Sequence, residues 1–176
     1  MKLQLVFPTV EYQTEWYDII KEMKNAGERI TPYSLQADTE SYDEYLDRTN
    51  QVSKGINLNG MVPADTFFLV KAGEKRILGA INIRYELNPY LFNYGGNIGY
   101  GIRPTERKKG YATEMLKLAL EHCREKGMDK VLITCNKNNI ASANTMIKNG
   151  GRLENEVWDN DQFVQRYWIE LTQNPA

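Results

Sequence analysis

The stretch Ile102-Arg103-Pro104-Thr105-Glu106-Arg107-Lys108-Lys109-Gly110-Tyr111-Ala112-Thr113 decides the reading of this chain. A strand ends there, a basic loop follows, and a helix opens on Gly110, the small Ala112 and the hydroxyl of Thr113. First-turn amides have no partner within their helix, and the helix dipole adds positive potential, so such a terminus binds anions. Gly110 lets the backbone approach a bulky phosphate, Ala112 keeps that approach clear, and Arg107, Lys108 and Lys109 add charge. The Gly-Lys-Ser/Thr ending of a nucleoside triphosphatase loop is missing, as is the Gly-x-Gly-x-x-Gly of a dinucleotide fold. A pyrophosphate fits this loop better than a triphosphate. Taken by its composition alone, the loop reads equally as the start of a surface helix with solvated basic residues.

Downstream the period is helical. Ala112, Leu116, Ala119, Leu120 and Cys123 form one stripe, Glu114, Lys117, Glu121, Arg124 and Glu125 lie opposite, and Gly127 closes the helix. Val131-Leu132-Ile133 is a short buried strand ending at Cys135-Asn136-Lys137-Asn138-Asn139, polar residues at the edge of a cleft. Asn139 opens a second helix through Ile140, Ala143 and Ile147 to Gly150-Gly151. Arg152 to Trp158, a turn at Asp159-Asn160-Asp161, and Phe163 to Leu171 complete the chain as a hairpin. Upstream, Leu3, Leu5 and Phe7 alternate as a strand, and Tyr12, Trp16, Ile19, Ile20 and Met23 share a helix face ending at Gly27. The Tyr-rich stretch from Arg29 to Gln51 reads as a loop and a short helix from Ser41. Residues 66–70 and 77–85 flank Gly73-Glu74-Lys75 as a hairpin. A strand from Asn97 to Arg103 follows, whose Gly99 and Gly101 predict a bulge or a close approach by another group. This order implies an α+β fold: a mixed, mostly antiparallel six- or seven-stranded sheet with helices on both faces.

At 176 residues the chain is expected to form a single domain, residues 1–176. Its 22 Lys and Arg against 23 Asp and Glu leave a net charge of -1, which gives no global field for nucleic acid or an anionic membrane. Two cysteines without ligand spacing and one histidine argue against a metal site or a histidine-dependent triad. The apolar start breaks at Pro8, and no run approaches a membrane span, so the expectation is a cytoplasmic protein.

The residues resemble the GNAT superfamily of acetyl-coenzyme A-dependent N-acetyltransferases. Arg107-Lys108-Lys109-Gly110-Tyr111-Ala112 matches that family's pyrophosphate signature, and Gly99 to Pro104 resembles its bulged fourth strand. Asn139-Ile140-Ala141-Ser142 and Asn149-Gly150-Gly151 are similar to a bacterial branch of predicted acetyltransferases. The resemblance implies acetyl-CoA as co-substrate and a primary amine acceptor, small molecule or peptide, attacking the thioester directly in a ternary complex of a monomer or homodimer. It implies that backbone groups of Tyr100, Gly101 and Ile102 pair with the pantetheine arm. Arg107 and the amides of Lys108, Lys109, Gly110, Tyr111, Ala112 and Thr113 would hold the pyrophosphate, Asn139 would bond the cofactor near the pantetheine or cysteamine end, and Ser142 would also contact the cofactor.

Three chemical needs remain: a base for the ammonium, a donor for the oxyanion and an acid for the leaving thiolate. The expected oxyanion donor is the backbone N–H of Ile102 or its neighbour, exposed by the bulge. Many relatives carry a tyrosine acid where this chain has Met146, and some carry a histidine where it has Asn97. Glu86, or water held by Asn97 and Tyr100, is the substitute base, and Tyr167 the substitute acid. Those two departures also favour a rival, a non-catalytic acyl-CoA binding or sensing module, and a nucleotide-phosphate binding protein would use the same anion site. Among the remaining conspicuous residues, His122 is expected on a helix surface and Cys135 as a small core filler. Trp16 and Tyr33, Tyr42 and Tyr45 are expected mainly in the core, and Asp159 to Asp161 as a turn.

Overall fold

The computed structural model describes residues 2–35 and 39–172. The strands are β1 (Leu3–Val6), β2 (Ala64–Lys71), β3 (Gly79–Arg84), β4 (Ile98–Ile102), β5 (Lys130–Asn136), β6 (Arg152–Asp159) and β7 (Gln162–Glu170). The helices are α1 (Gln13–Asn25), α2 (Tyr42–Ser53), α3 (Tyr111–Glu125) and α4 (Ile140–Lys148). All the strands join one sheet in the order β1-β2-β3-β4-β5-β7-β6, antiparallel throughout except between β4 and β5. This is the mixed sheet with helices on both faces that the element order predicts.

Alternation along the central strands sends side chains into two cores. Phe67, Leu69, Ile81, Ile98 and Ile102 pack with Met115, Leu116 and Ala119 of α3, whereas Phe68, Val70 and Ala80 pack with Trp16, Ile19 and Tyr45 of the α1–α2 layer. The rings of Trp16, Tyr42 and Tyr45 lie against one another, so these aromatics are core, as expected. Helix α2 starts where Ser41 and Glu44 form a reciprocal capping box, which explains the sharp onset within the Tyr-rich stretch.

The parallel pair β4–β5 is in register only at Ile98 and Ile133, and beyond that point the strands diverge. Asn97 fixes the point of divergence. Its backbone N–H donates to Leu132 O (2.6 Å), its Oδ1 accepts from the Leu132 N–H (2.8 Å), its Nδ2 donates to Arg84 O (3.0 Å) and its own carbonyl accepts from the Arg84 N–H (2.7 Å). One side chain thus stitches β3 to β5 across the start of β4. Asn97 is 4% exposed, so its loss strands two buried backbone groups, at about 1–3 kcal/mol each. Asn97→Ala is expected to lower the unfolding free energy by roughly 2–6 kcal/mol, read as a reduced urea midpoint. Asn97→Asp, which keeps only the acceptor, should fall between.

No bulge interrupts β4: its pairing with β3 runs without a register shift from Ile98 opposite Ile83 to Ile102 opposite Gly79. The glycines answer the other expectation, close approach. A side chain at Gly101 would collide with the Thr31 carbonyl, which lies directly against it.

Candidate functional site

Because Arg103 N–H bonds Leu78 O, alternation commits Gly101 and Gly99 to β3 and turns the backbone groups of Tyr100 and Ile102 outward, into the gap beside β5. This corrects the expectation for Gly101, whose backbone belongs to the sheet. It also replaces the bulge as the reason for a free Ile102 amide: the neighbouring strand has left. The outward edge of β4 is one wall of a groove of about 570 Å³, lined further by Thr31, Lys108, Gly110, Thr113 and Asn139.

Gly110 precedes α3 with φ of 83°, a left-handed backbone that glycine adopts without strain. No side chain caps this helix. Among the described residues no backbone acceptor engages the amides of Lys108 to Thr113. The basic side chains are differently placed. Arg107 is held bidentately by Glu28 at 2.6 and 2.5 Å and also donates to Ile102 O at 3.2 Å. Lys109 binds Glu106 at 2.9 Å. Lys108 makes no ion pair among the described residues, so the positive character of this end of the groove rests on it and on the amides. Hydrogen bonds from Arg107 hold the Glu28 carboxyl below its usual range, and Lys109 with Arg76 does the same for Glu106. Both acids are therefore ionised, and these pairs weaken only as pH falls through the carboxylate range.

Arg103 anchors the loop to the body of the protein. Its side chain is 1% exposed and reaches Glu15 Oε2 at 2.6 Å, Glu22 Oε1 at 3.0 Å and Ile77 O at 2.6 Å, while Glu22 also accepts from the Thr105 hydroxyl at 2.8 Å.

Across the groove stands the start of α4. Asn139 caps it, its Oδ1 accepting from Ser142 N–H at 3.1 Å, which leaves the amide nitrogen free to donate. The Tyr100 hydroxyl lies 3.0 Å from Ser142 Oγ. Burial pushes that hydroxyl up to about 12, with the hydrogen bond from Ser142 opposing the shift. Cys135, also beside Ser142, is raised by burial to about 11 and keeps its proton. Tyr100, expected from the sequence to offer its backbone to the cofactor and to help hold a water as base, is thus the phenol that lines the groove. The signal was available: Ile98, Tyr100 and Ile102 alternate onto the α3 face.

On the opposite face of the sheet, between α2 and the ends of β2 and β3, lies a second cavity of about 500 Å³. Tyr33, Met61, Tyr90 and Leu91 give it apolar walls, and Thr66, Asn82 and Arg84 its polar floor. Arg84 Nη1 donates to Gly95 O and Gly96 O at 3.2 and 3.1 Å.

Several expected site residues stand elsewhere. Glu86 is exposed on the bend after β3 and lines neither groove nor cavity. Asn97 spends its side chain on Arg84 and Leu132, which removes it as a water holder. Tyr167 is 5% exposed, donates to Gln165 and lines neither space. Asp159, Asn160 and Asp161 make the β6–β7 turn, likewise outside both. His122 corrects the surface expectation: its ring packs edge-on against Phe67, and its Nε2 lies 2.9 Å from the Tyr85 hydroxyl, which donates to buried Asp65.

A family model described as an acetyltransferase (GNAT) domain matches residues 9–152. The chain belongs to the GNAT acetyltransferase family. An uncharacterized N-acetyltransferase of Bacillus subtilis strain 168, YnaD, is 30% identical over 120 residues, 62% of this chain and 68% of that protein. The microcin C7 self-immunity acetyltransferase MccE, solved with acetyl-CoA and AMP, superposes with a TM-score of 0.69 at 18% identity over 96% of this chain and 92% of its own. The spermidine/spermine N-acetyltransferase SpeG from Vibrio cholerae superposes with a TM-score of 0.66 at 19% identity, over 96% and 94%. These structures share the GNAT fold with this chain. Among the described residues, no helix is long and apolar enough to cross a membrane.

Proposed function

We propose that this GNAT-family chain moves the acetyl group of acetyl-CoA to a primary amine by direct attack within a ternary complex. The observation that carries this reading is one continuous path: the uncapped amides of Lys108 to Thr113 lead along the outward backbone of Tyr100 and Ile102 into the gap between β4 and β5. The amides take the pyrophosphate, with Lys108 adding charge. The Tyr100 and Ile102 backbone pairs with the pantetheine amides as an added strand would, and Asn139 Nδ2 donates to the same arm. Arg107 and Lys109, already paired with Glu28 and Glu106, shape the loop rather than grip phosphate.

The amine enters from the α2-side cavity. Arg84, which lines that cavity, stands 3.3 Å from where a Cβ at Gly99 would lie, one residue before Tyr100, so amine and thioester meet at the mouth of the gap. The described lining of the cavity holds no carboxylate, so the ammonium loses its proton to water before attack. The neutral nitrogen bonds to the carbonyl carbon, and the outward Ile102 N–H steadies the oxyanion. The C–S bond then breaks, the thiolate takes the Tyr100 proton, and the proton released by the new amide nitrogen returns through water to the phenolate. A phenol titrating near 12 donates throughout the neutral range, so the rate should rise with pH up to the pKa of the amine and show no tyrosine limb below about 10. The CoA thiol, near 8.5, is already a fair leaving group, so Tyr100→Phe is expected to lower kcat by about 100-fold, the low end for general acids, with the KM for acetyl-CoA unchanged. A kcat within twofold of the parent protein removes Tyr100 from the chemistry.

Met146, 0% exposed and unable to donate a proton, is the observation that favours a non-catalytic acyl-CoA binding module instead. Thiol release from acetyl-CoA with a panel of primary amines separates the two readings. Amine-dependent release supports transfer, and CoA binding without release supports the module.

A further inference from the structure

Arg84 is the feature that the path just described does not use. It projects from the end of β3 into the floor of the α2-side cavity, and Nη1 is held by the carbonyls of Gly95 and Gly96. Nη2 lies over the β4 backbone, 3.3 Å from where a Cβ at Gly99 would stand. Among the described residues no carboxylate pairs with it: ion pairs form at Arg48, Arg76, Arg103, Arg107 and Arg166, but none at Arg84. Burial depresses the guanidinium below its usual value, opposed by the nearby Tyr90 hydroxyl, yet arginine stays charged across the physiological range. Arg48, the other cation of the lining, is held by Glu40. The described lining therefore carries a surplus positive charge and an oriented fork, surrounded by Tyr33, Tyr90, Leu91, Met61 and Val62.

A cationic floor repels a polyamine and leaves an unpaired donor edge where an anion would complete it. On the acetyl-transfer reading above, we infer that the acceptor is a compact amine bearing a carboxylate or phosphate, bound by Arg84, with an apolar body between the tyrosines. Because Arg84 sits over Gly99, next to the thioester gap at Tyr100, anion and amine belong close together in the acceptor, as they do in an α-amino acid or an aminoalkyl phosphonate. The same fork that fixes the anion would aim the nitrogen at the gap.

The test uses product analogues, so that binding is read without turnover. N-acetyl-leucine, N-acetyl-leucinamide, the N-acetylated phosphonate analogue of leucine and N-acetylspermidine are titrated calorimetrically into the CoA-loaded protein and into Arg84→Gln. The expected result is at least tenfold tighter binding of an anionic analogue than of the amide, no binding of N-acetylspermidine, and loss of the anion preference in Arg84→Gln with CoA affinity intact. Which of the carboxylate and phosphonate binds tighter assigns the anion. Equal or tighter binding of the amide or the polyamine by the parent protein overturns the inference, as does an anion preference that persists in Arg84→Gln. The parent comparison holds even if Arg84→Gln fails to fold, and Arg84→Lys, which keeps charge but loses the fork, should then show a reduced preference. If thiol release occurs with neutral or polycationic amines only, the acceptor inference falls and acetyl transfer stands. If anionic analogues bind through Arg84 but no amine releases thiol, transfer falls and the anion site stands.

Discussion

Gly110→Glu is expected to abolish the stabilisation of this protein by CoA while leaving it folded. A Cβ at Gly110 would meet no atom within 4 Å, so the substitution creates no clash in the free protein. The left-handed backbone, φ of 83°, adds strain of roughly 1–2 kcal/mol, which a domain of ordinary stability tolerates. In the complex the effect is much larger. A carboxylate at the mouth of α3 occupies the space where pyrophosphate oxygens meet the first-turn amides, and it adds like-charge repulsion. Losing two hydrogen bonds to a charged ligand costs about 3–6 kcal/mol, or roughly a hundredfold to ten-thousandfold in affinity. Calorimetry, with melting temperature as the check on folding, reads both terms. Normal CoA binding by Gly110→Glu would remove this loop from the cofactor site.

The second large effect concerns stability. Arg103→Ala removes a fully buried guanidinium from between Glu15 and Glu22 and strips the Ile77 carbonyl of its donor. Breaking such a pair from one side typically costs 3–5 kcal/mol, because the abandoned carboxylates stay partly desolvated, so the expected fall in Tm is roughly 10 °C or more. Arg103→Lys keeps the charge but cannot reach Glu15, Glu22 and Ile77 O together, and should recover only part of the loss. The loss should be smaller at low pH, where Glu22, whose carboxyl, despite burial, is held below its usual range by Thr105 and Arg103, takes up a proton and no longer needs a cation. Because Glu22 also holds Thr105, weakened CoA binding should accompany the fall in stability. A Tm within 2 °C of the parent would mean that the cluster is dispensable.

What was legible in the sequence was whatever rests on short-range periodicity. The helical stripe from Ala112 to Cys123 and the run from Thr66 to Val70 announce themselves because each residue's burial follows from its neighbours. The anion-binding loop was legible for the same reason, since its glycine, its basic residues and the following helix are contiguous. Asn97 was misread because its partners, Arg84 and Leu132, lie 13 and 35 positions away and become adjacent only where β4 leaves β5. Gly99 and Gly101 suggested a bulge, but the Thr31 segment that crowds Gly101 comes from a loop with no pattern of its own. Arg84 gave no signal: nothing in the order of residues shows that no carboxylate among the described residues pairs with it. Tyr100 was half legible, as the alternation that turned its backbone outward also sent its ring across the groove to Ser142.

The central claim is that one strand edge and one helix start hold the two ends of acetyl-CoA. Amide NMR of the protein titrated with CoA tests it most directly. The predicted result is that the largest shifts fall on the amides of Lys108 to Thr113, with Tyr100 and Ile102 next, while residues around Arg84 hardly move. Shifts concentrated around Arg84, with Lys108 to Thr113 unmoved, would contradict it.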